Sequence, residues 1–131
     1  NNIIFYYWHG VSGYSSFGSY EGNGVVDGPM INTGAHPASV LVKNIDSAQT
    51  WVWHHKATSP TNPNNLYLKP NETAIATDTQ TAISTDGFDF NSNGFKVRAA
   101  NAGWNTTTLI YSAWGGTPIQ GDGGVNQGRA K

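Results

Sequence analysis

The chain has 131 residues with a formal net charge of -1, and only 11% of its residues are charged. That length suffices for one domain with a real core, and the lack of a Lys/Arg cluster argues against nucleic acid or an anionic membrane as partner. There is no cysteine, which removes thiol catalysis and thiolate metal sites and leaves redox compartment undetermined.

Sixteen glycines and a 12% share of aromatic residues are the composition of a turn-rich all-β domain rather than of a disordered chain. No apolar run approaches the roughly 18 residues that span a bilayer, so membrane insertion is not expected. The apolar opening, Ile3 to Trp8, lacks a basic leader and a cleavage site and is not read as a signal peptide. With Asn1 in place of an initiator methionine, the chain reads as a piece of a longer polypeptide.

Ile3 to Trp8 is the first strand candidate, apolar on both faces, as suits a strand covered on both sides or lying at a subunit contact. Tyr14 to Tyr20 reads as a loop running into a strand. Turn signals follow at Glu21 to Gly24 and Val25 to Pro29, and Met30 to Thr33 forms a short edge segment. Ser39 to Lys43 and Thr50 to His55 make a hairpin around the polar turn 44–49. Period two puts Trp51, Trp53 and His55 on one face, with Val52 and His54 on the other; the two tryptophans are expected to anchor the core.

Lys56 to Asn65 has no apolar period and is expected on the surface as a variable recognition loop. Leu66 to Lys69 is a short strand stopped by Pro70, and one helical turn is expected around Glu72 to Ala76. Phe88 to Phe90 and Phe95 to Arg98 flank Asn93-Gly94, a strong hairpin signal. Trp104 is placed at the tip of the next turn, and Thr107 to Trp114 is the closing strand. The tail from Gly116 to Lys131 is Gly-rich and expected to be extended. The fold expected is an antiparallel β-sandwich, jelly-roll-like, with Val40, Val42, Trp51, Trp53, Phe88, Phe90, Phe95, Val97 and the alternate residues of Leu109 to Trp114 as its core.

Two stretches echo each other. Leu109-Ile-Tyr-Ser-Ala-Trp-Gly-Gly116 matches Ile3-Ile-Phe-Tyr-Tyr-Trp-His-Gly10 as aliphatic, aliphatic, aromatic, with Trp114 on Trp8 and Gly116 on Gly10. Self-similarity near domain length marks a tandem unit. Residues 1–10 are therefore read as the terminal strand of a preceding repeat or a swapped strand, 11–116 as the sandwich and 117–131 as a tail.

Chemistry-bearing constellations are sparse. His9 and His36 lie far in sequence from His54 and His55, which point to opposite faces of a strand and cannot share an ion. Asn23, Asp27, Asp86 and Asp89 lack the acidic spacing of a calcium loop. Glu21 and Glu72 offer no paired-carboxylate motif for glycoside hydrolysis, and there is no Gly-x-Ser-x-Gly elbow or phosphate loop. No catalytic residue, metal or cofactor is expected. Candidate binding residues are His55, Asn62, Asn64 and Asn65, with Trp104 as a surface ring able to stack on a sugar.

Tyr14 to Tyr20 with Gly22-Asn23-Gly24 and Asp27-Gly28-Pro29, Pro37 to Lys43 with Asp46-Ser47, Asn91 to Arg98, and Leu109 to Trp114 occur in that order. Together they resemble a domain of structural proteins of tailed bacteriophages, especially phages of marine bacteria including cyanophages, where it is often tandem near the end of fibre-like or appendage proteins. The chain departs from that pattern at Gly115-Gly116 and in the length of the 56–65 loop. The resemblance implies a non-enzymatic virion structural domain, in a fibre, appendage or capsid decoration. It would act in assembly with other virion proteins as a homo-oligomer and attach to host-surface glycan. The acceptor-like Asn71-Glu72-Thr73 and Asn105-Thr106-Thr107 would be silent in a phage product. The alternative from a different class is a carbohydrate-binding, lectin-like module.

Overall fold

A computed structural model of the chain describes residues 2–73 and 86–115, together with the backbone pairing of 77–78, 119–120 and 127–128. The strands are β1 (Ser15–Asn23), β2 (Met30–Asn32), β3 (Pro37–Asn44), β4 (Val52–His55), β5 (Leu66–Leu68), β6 (Thr77–Asp78), β7 (Phe88–Asn91), β8 (Gly94–Val97), β9 (Thr106–Gly115), β10 (Ile119–Gln120) and β11 (Gln127–Gly128). They form a larger sheet in the order β1-β9-β3-β4-β5-β6, a three-stranded sheet β2-β8-β7 and a β10-β11 pair. Every pairing is antiparallel, and no helix occurs among the described residues. The fold is an all-β antiparallel sandwich. The one-turn helix expected at 72–76 falls mostly outside the described residues, as does most of the tail.

Alternation builds both layers. Along β3 the side chains of Val40 and Val42 are fully buried while Leu41 between them is half-buried, and along β9 Leu109, Tyr111 and Ala113 face inward with Ile110 and Ser112 outward. The smaller sheet contributes Ile31, Phe88, Phe90, Phe95 and Val97. Phe95 lies at the centre, edge-on to Tyr20 at 6.0 Å and to Tyr111 at 5.6 Å, with Phe88 at 5.2 Å on its own sheet. Such edge-to-face contacts add directionality to burial worth about 1.5–3 kcal/mol per large side chain.

The β3-β4 register reverses the expectation for the two tryptophans. Val52 lies opposite Val42 and His54 opposite Val40, so Trp53 falls opposite the outward Leu41. Because side-chain direction has period two, pairing with the inward valines drives Val52 and His54 into the core and puts Trp53 outside. Trp53 is 37% exposed and His54 wholly buried.

The core space left by the tryptophans is taken by Trp104, which is 2% exposed rather than open at a loop tip. The turn before β9 is held by amide donation from Trp104 and Asn105 to the Asn101 carbonyl. This aims the indole at Tyr67, His54 and Phe88, at centroid distances of 5.1, 5.8 and 6.4 Å. Trp104 thus plugs the sandwich and is unavailable as a surface platform.

The 56–65 loop is likewise tied into the fold. Asn64 exchanges backbone hydrogen bonds with Phe88 at 2.7 and 3.1 Å, extending the small sheet by an isolated bridge. Ser59, Asn64 and Asn65 are buried.

Candidate functional site

Residues 2–10 belong to no strand. The segment is anchored where Val11 pairs with Ser15 and where the Ser15 hydroxyl donates to the His9 carbonyl at 3.3 Å. Before that anchor the chain extends as an arm, with Phe5 stacked on Tyr7 at 6.1 Å and Tyr6 on Trp8 at 6.0 Å. Trp8 stacks on Phe17 of β1 at 6.2 Å, and Phe17 meets Trp114 of β9 edge-on at 5.9 Å. From Ile3 to Trp8 the side chains remain 58–87% exposed.

The arm lies over the outer face of the larger sheet. Across that face, Phe17 is opposite Ser112, Ser112 opposite Leu41, Leu41 opposite Trp53, and Trp53 opposite Leu68. An adjacent row carries Ser19, Ile110 and Lys43. Between arm and sheet runs an open groove of about 390 Å³, lined by Tyr6, Tyr7, Trp8, Phe17, Gly18, Leu41, Trp51, Ile110, Tyr111 and Ser112. On the sheet beyond the groove, two polar side chains are engaged within the chain. The Trp53 indole N–H donates to Ser39 Oγ, and Lys43 Nζ donates to the carbonyls of Asn44 and Gln49 at 2.7 and 2.8 Å. Contiguous apolar surface of this kind marks an interaction face.

The opposite outer face has the reverse chemistry. On β7 and β8 the outward residues are Asp89 and Lys96, paired across the strands. Lys96 Nζ lies 2.7 Å from Asp27, Arg98 lies 3.6 Å from Asp27, and Arg98 Nε lies 3.4 Å from Asp89. The Lys96 ammonium beside Asp27, by hydrogen bond and charge with Arg98 adding, holds that carboxyl below its usual range.

The residues singled out in the sequence do not converge. Asn62 clamps β7 by accepting from the Phe90 N–H at 3.0 Å and donating to its carbonyl at 3.1 Å. Ser59 donates its hydroxyl to Asn65 Oδ1. Asn64 Nδ2 donates to the His55 and Ser59 carbonyls at 2.9 and 2.6 Å, and its Oδ1 faces His54 Nδ1 at 3.0 Å. His55 is half-buried and accepts the Ala57 N–H at Nδ1, 3.0 Å away; of the five residues, it alone lies on the outer face, in the row with Ser39 and Trp114.

His54 has chemistry of its own but no access. Both Asn64 amide hydrogens go to carbonyls, so Oδ1 must accept and His54 must carry its proton on Nδ1. Its Nε2 is then an acceptor, and neither Nε2 nor the Trp104 indole N–H has a hydrogen-bond partner among the described residues. Burial pushes the imidazole down to about 4, against the pull of the Asn64 hydrogen bond. Among the described residues no three His, Asp or Glu side chains are grouped closely enough to hold a metal ion.

The surface missed from sequence is the outer aromatic face. Its signal was present in the alternation of 51–55 and 109–114, once the correct side is turned outward. The fold and this face define an antiparallel β-sandwich with one aromatic and one ion-paired exterior. Residues 1–118 match the family described as "Domain of unknown function (DUF7483)", and the chain belongs to that family. Neither the curated proteins nor the solved structures contain a match to it. The family match takes in both the arm and β9, the two members of the internal echo.

Proposed function

We propose that the chain is a non-enzymatic structural domain of a tailed-phage virion, in a fibre, appendage or capsid decoration, joined to its neighbours through the arm and the outer aromatic face. The observation that carries assembly is the arm: Ile3 to Trp8, six apolar residues in a row, belongs to no strand and stays 58–87% exposed. Surface of that kind is retained where a partner covers it. The virion setting is supported by the ordered motifs of the sequence. An antibody raised against the domain should band with intact tailed particles on a density gradient of the source material and label them in negative-stain micrographs. Signal confined to the soluble fractions overturns the virion setting.

The aromatic groove favours a second reading, recognition of a glycan, since about 390 Å³ is within the range of small-ligand sites and sugar rings stack on aromatic faces. Trp8, Trp51 and Trp53 would then report binding, while Trp104 is sealed. Saccharide-dependent quenching of tryptophan fluorescence that is lost in Trp8→Ala supports this reading, and a flat response across a broad glycan panel removes it. Assembly is preferred because one wall of the groove is the arm itself, an exposed segment that belongs to no strand.

A further inference from the structure

We propose that the arm and the outer face of the larger sheet form the contact surface for a second copy of this chain, with the two arms paired antiparallel across a two-fold axis. The inference rests on the assembly reading and supplies its partner.

The backbone is the first reason. Among the described residues, no hydrogen bond is made by the N–H or C=O groups of residues 2–8. Their side chains nonetheless alternate like a strand, Phe5 with Tyr7 and Tyr6 with Trp8. A strand-like segment with a full set of unpaired donors and acceptors is a template for another strand. The echo says which sense of pairing fits. Residues 109–114 have the same pattern, and β9 pairs antiparallel on both its edges, with β1 and with β3. The fold therefore already places this side-chain pattern within antiparallel pairing, and an identical segment meets itself antiparallel about a two-fold.

Area and charge select the same partner. Phe5, Tyr6, Tyr7 and Trp8 are 68, 74, 87 and 58% exposed. At roughly 150–250 Å² per aromatic side chain, these four offer about 400–700 Å² per copy. Ile3 and Ile4 on the arm, with Trp53, Leu68 and Ile110 beyond the groove, bring the total near the roughly 800 Å² per partner of a stable interface. Residues 3–8 carry no charge, and the ammonium of Lys43 on the adjoining face is held by two carbonyls of its own chain. An uncharged apolar surface meets its own symmetry mate without like-charge repulsion.

The chain has no cysteine, so single substitutions report proximity cleanly. Antiparallel pairing about a two-fold at the middle of residues 3–8 sets either Phe5 or Tyr6 opposite its own mate, because neighbouring residues of a strand face opposite sides. One of Phe5→Cys and Tyr6→Cys should therefore give disulfide-linked dimers on mild oxidation, and Val26→Cys, in the turn before β2, should not. Light scattering should show a concentration-dependent dimer of the full chain. The double variant Phe5→Asp/Tyr7→Asp should weaken it at least tenfold with unchanged circular dichroism, since both side chains are exposed. A chain monomeric at every concentration overturns the inference, as does a dimer that survives the double variant without cross-linking at Phe5 or Tyr6. A monomer whose antibody still labels particles overturns this inference alone; a cross-linked dimer without particle labelling overturns the virion setting alone.

Discussion

Asn64 joins three stretches of backbone that strand pairing leaves apart: the end of β4, the loop at Ser59 and, through its own main chain, β7. Asn44 does the same between the Ala102 and Thr106 carbonyls and the Asp46 and Ser47 amides. Asn105 does it between the Val25 and Ala99 carbonyls and the Asn23 amide. All three side chains are fully buried. Removing one leaves buried carbonyls unsatisfied, so Asn64→Ala should lower stability by about 1–3 kcal/mol per orphaned group, read from chemical denaturation. His54 makes a second prediction. Its folded value of about 4 lies below the ordinary value near 6.5, so between these values the unfolded chain binds the proton and the native chain does not. The contribution is complete above pH 6.5 and is lost as pH falls to about 4, by up to about 3 kcal/mol. Denaturant midpoints measured from pH 7 to pH 4 should fall in that window, and by less in His54→Gln.

At the level of elements, two glycines set how closely strands and loops approach. Gly22 in β1 lies where a Cβ would come within 2.2 Å of the Asn105 backbone, and Gly87, at φ +151°, where it would come within 2.2 Å of the Asn64 carbonyl oxygen. Gly87→Ala combines strain with a clash against backbone and should destabilise by more than about 3 kcal/mol, detected as a lower Tm. The strands were largely legible, because β3, β7, β8 and β9 alternate cleanly and Asn93-Gly94 marks its hairpin. The facing of β4 was not. Either of its faces could be apolar, and only pairing with Val40 and Val42 decides between them. The aromatic face was hidden for the same reason, since a tryptophan in a strand looks like core until the register is known. Buried asparagines in a polar loop were illegible, because their partners are carbonyls far away in sequence. Ile3 to Trp8 read as a strand because its residue types are those of one; among the described residues, what it lacks is a strand to pair with.

For the whole molecule the decisive feature is the difference between its two exteriors. Ion pairs among Asp27, Lys96, Arg98 and Asp89 sit on solvated surface, where such contacts add little to stability; Asp27→Asn should leave the melting temperature nearly unchanged. The opposite side is apolar, so self-association should strengthen in sulfate, which favours burial of apolar surface, rather than dissolve in sodium chloride. Light scattering in the two salts separates an apolar contact from an electrostatic one.

The backbone of residues 2–8, unpaired among the described residues, also makes the arm its own reporter. An extended, accessible segment with Phe5, Tyr6, Tyr7 and Trp8 in sequence is the conformation a chymotrypsin-like protease accepts, while the same residue types in β9 are shielded within the sheet. Cleavage should begin at the arm and leave the sandwich standing. The rate of that first cut should fall as protein concentration rises, in proportion to the fraction of arms that are covered.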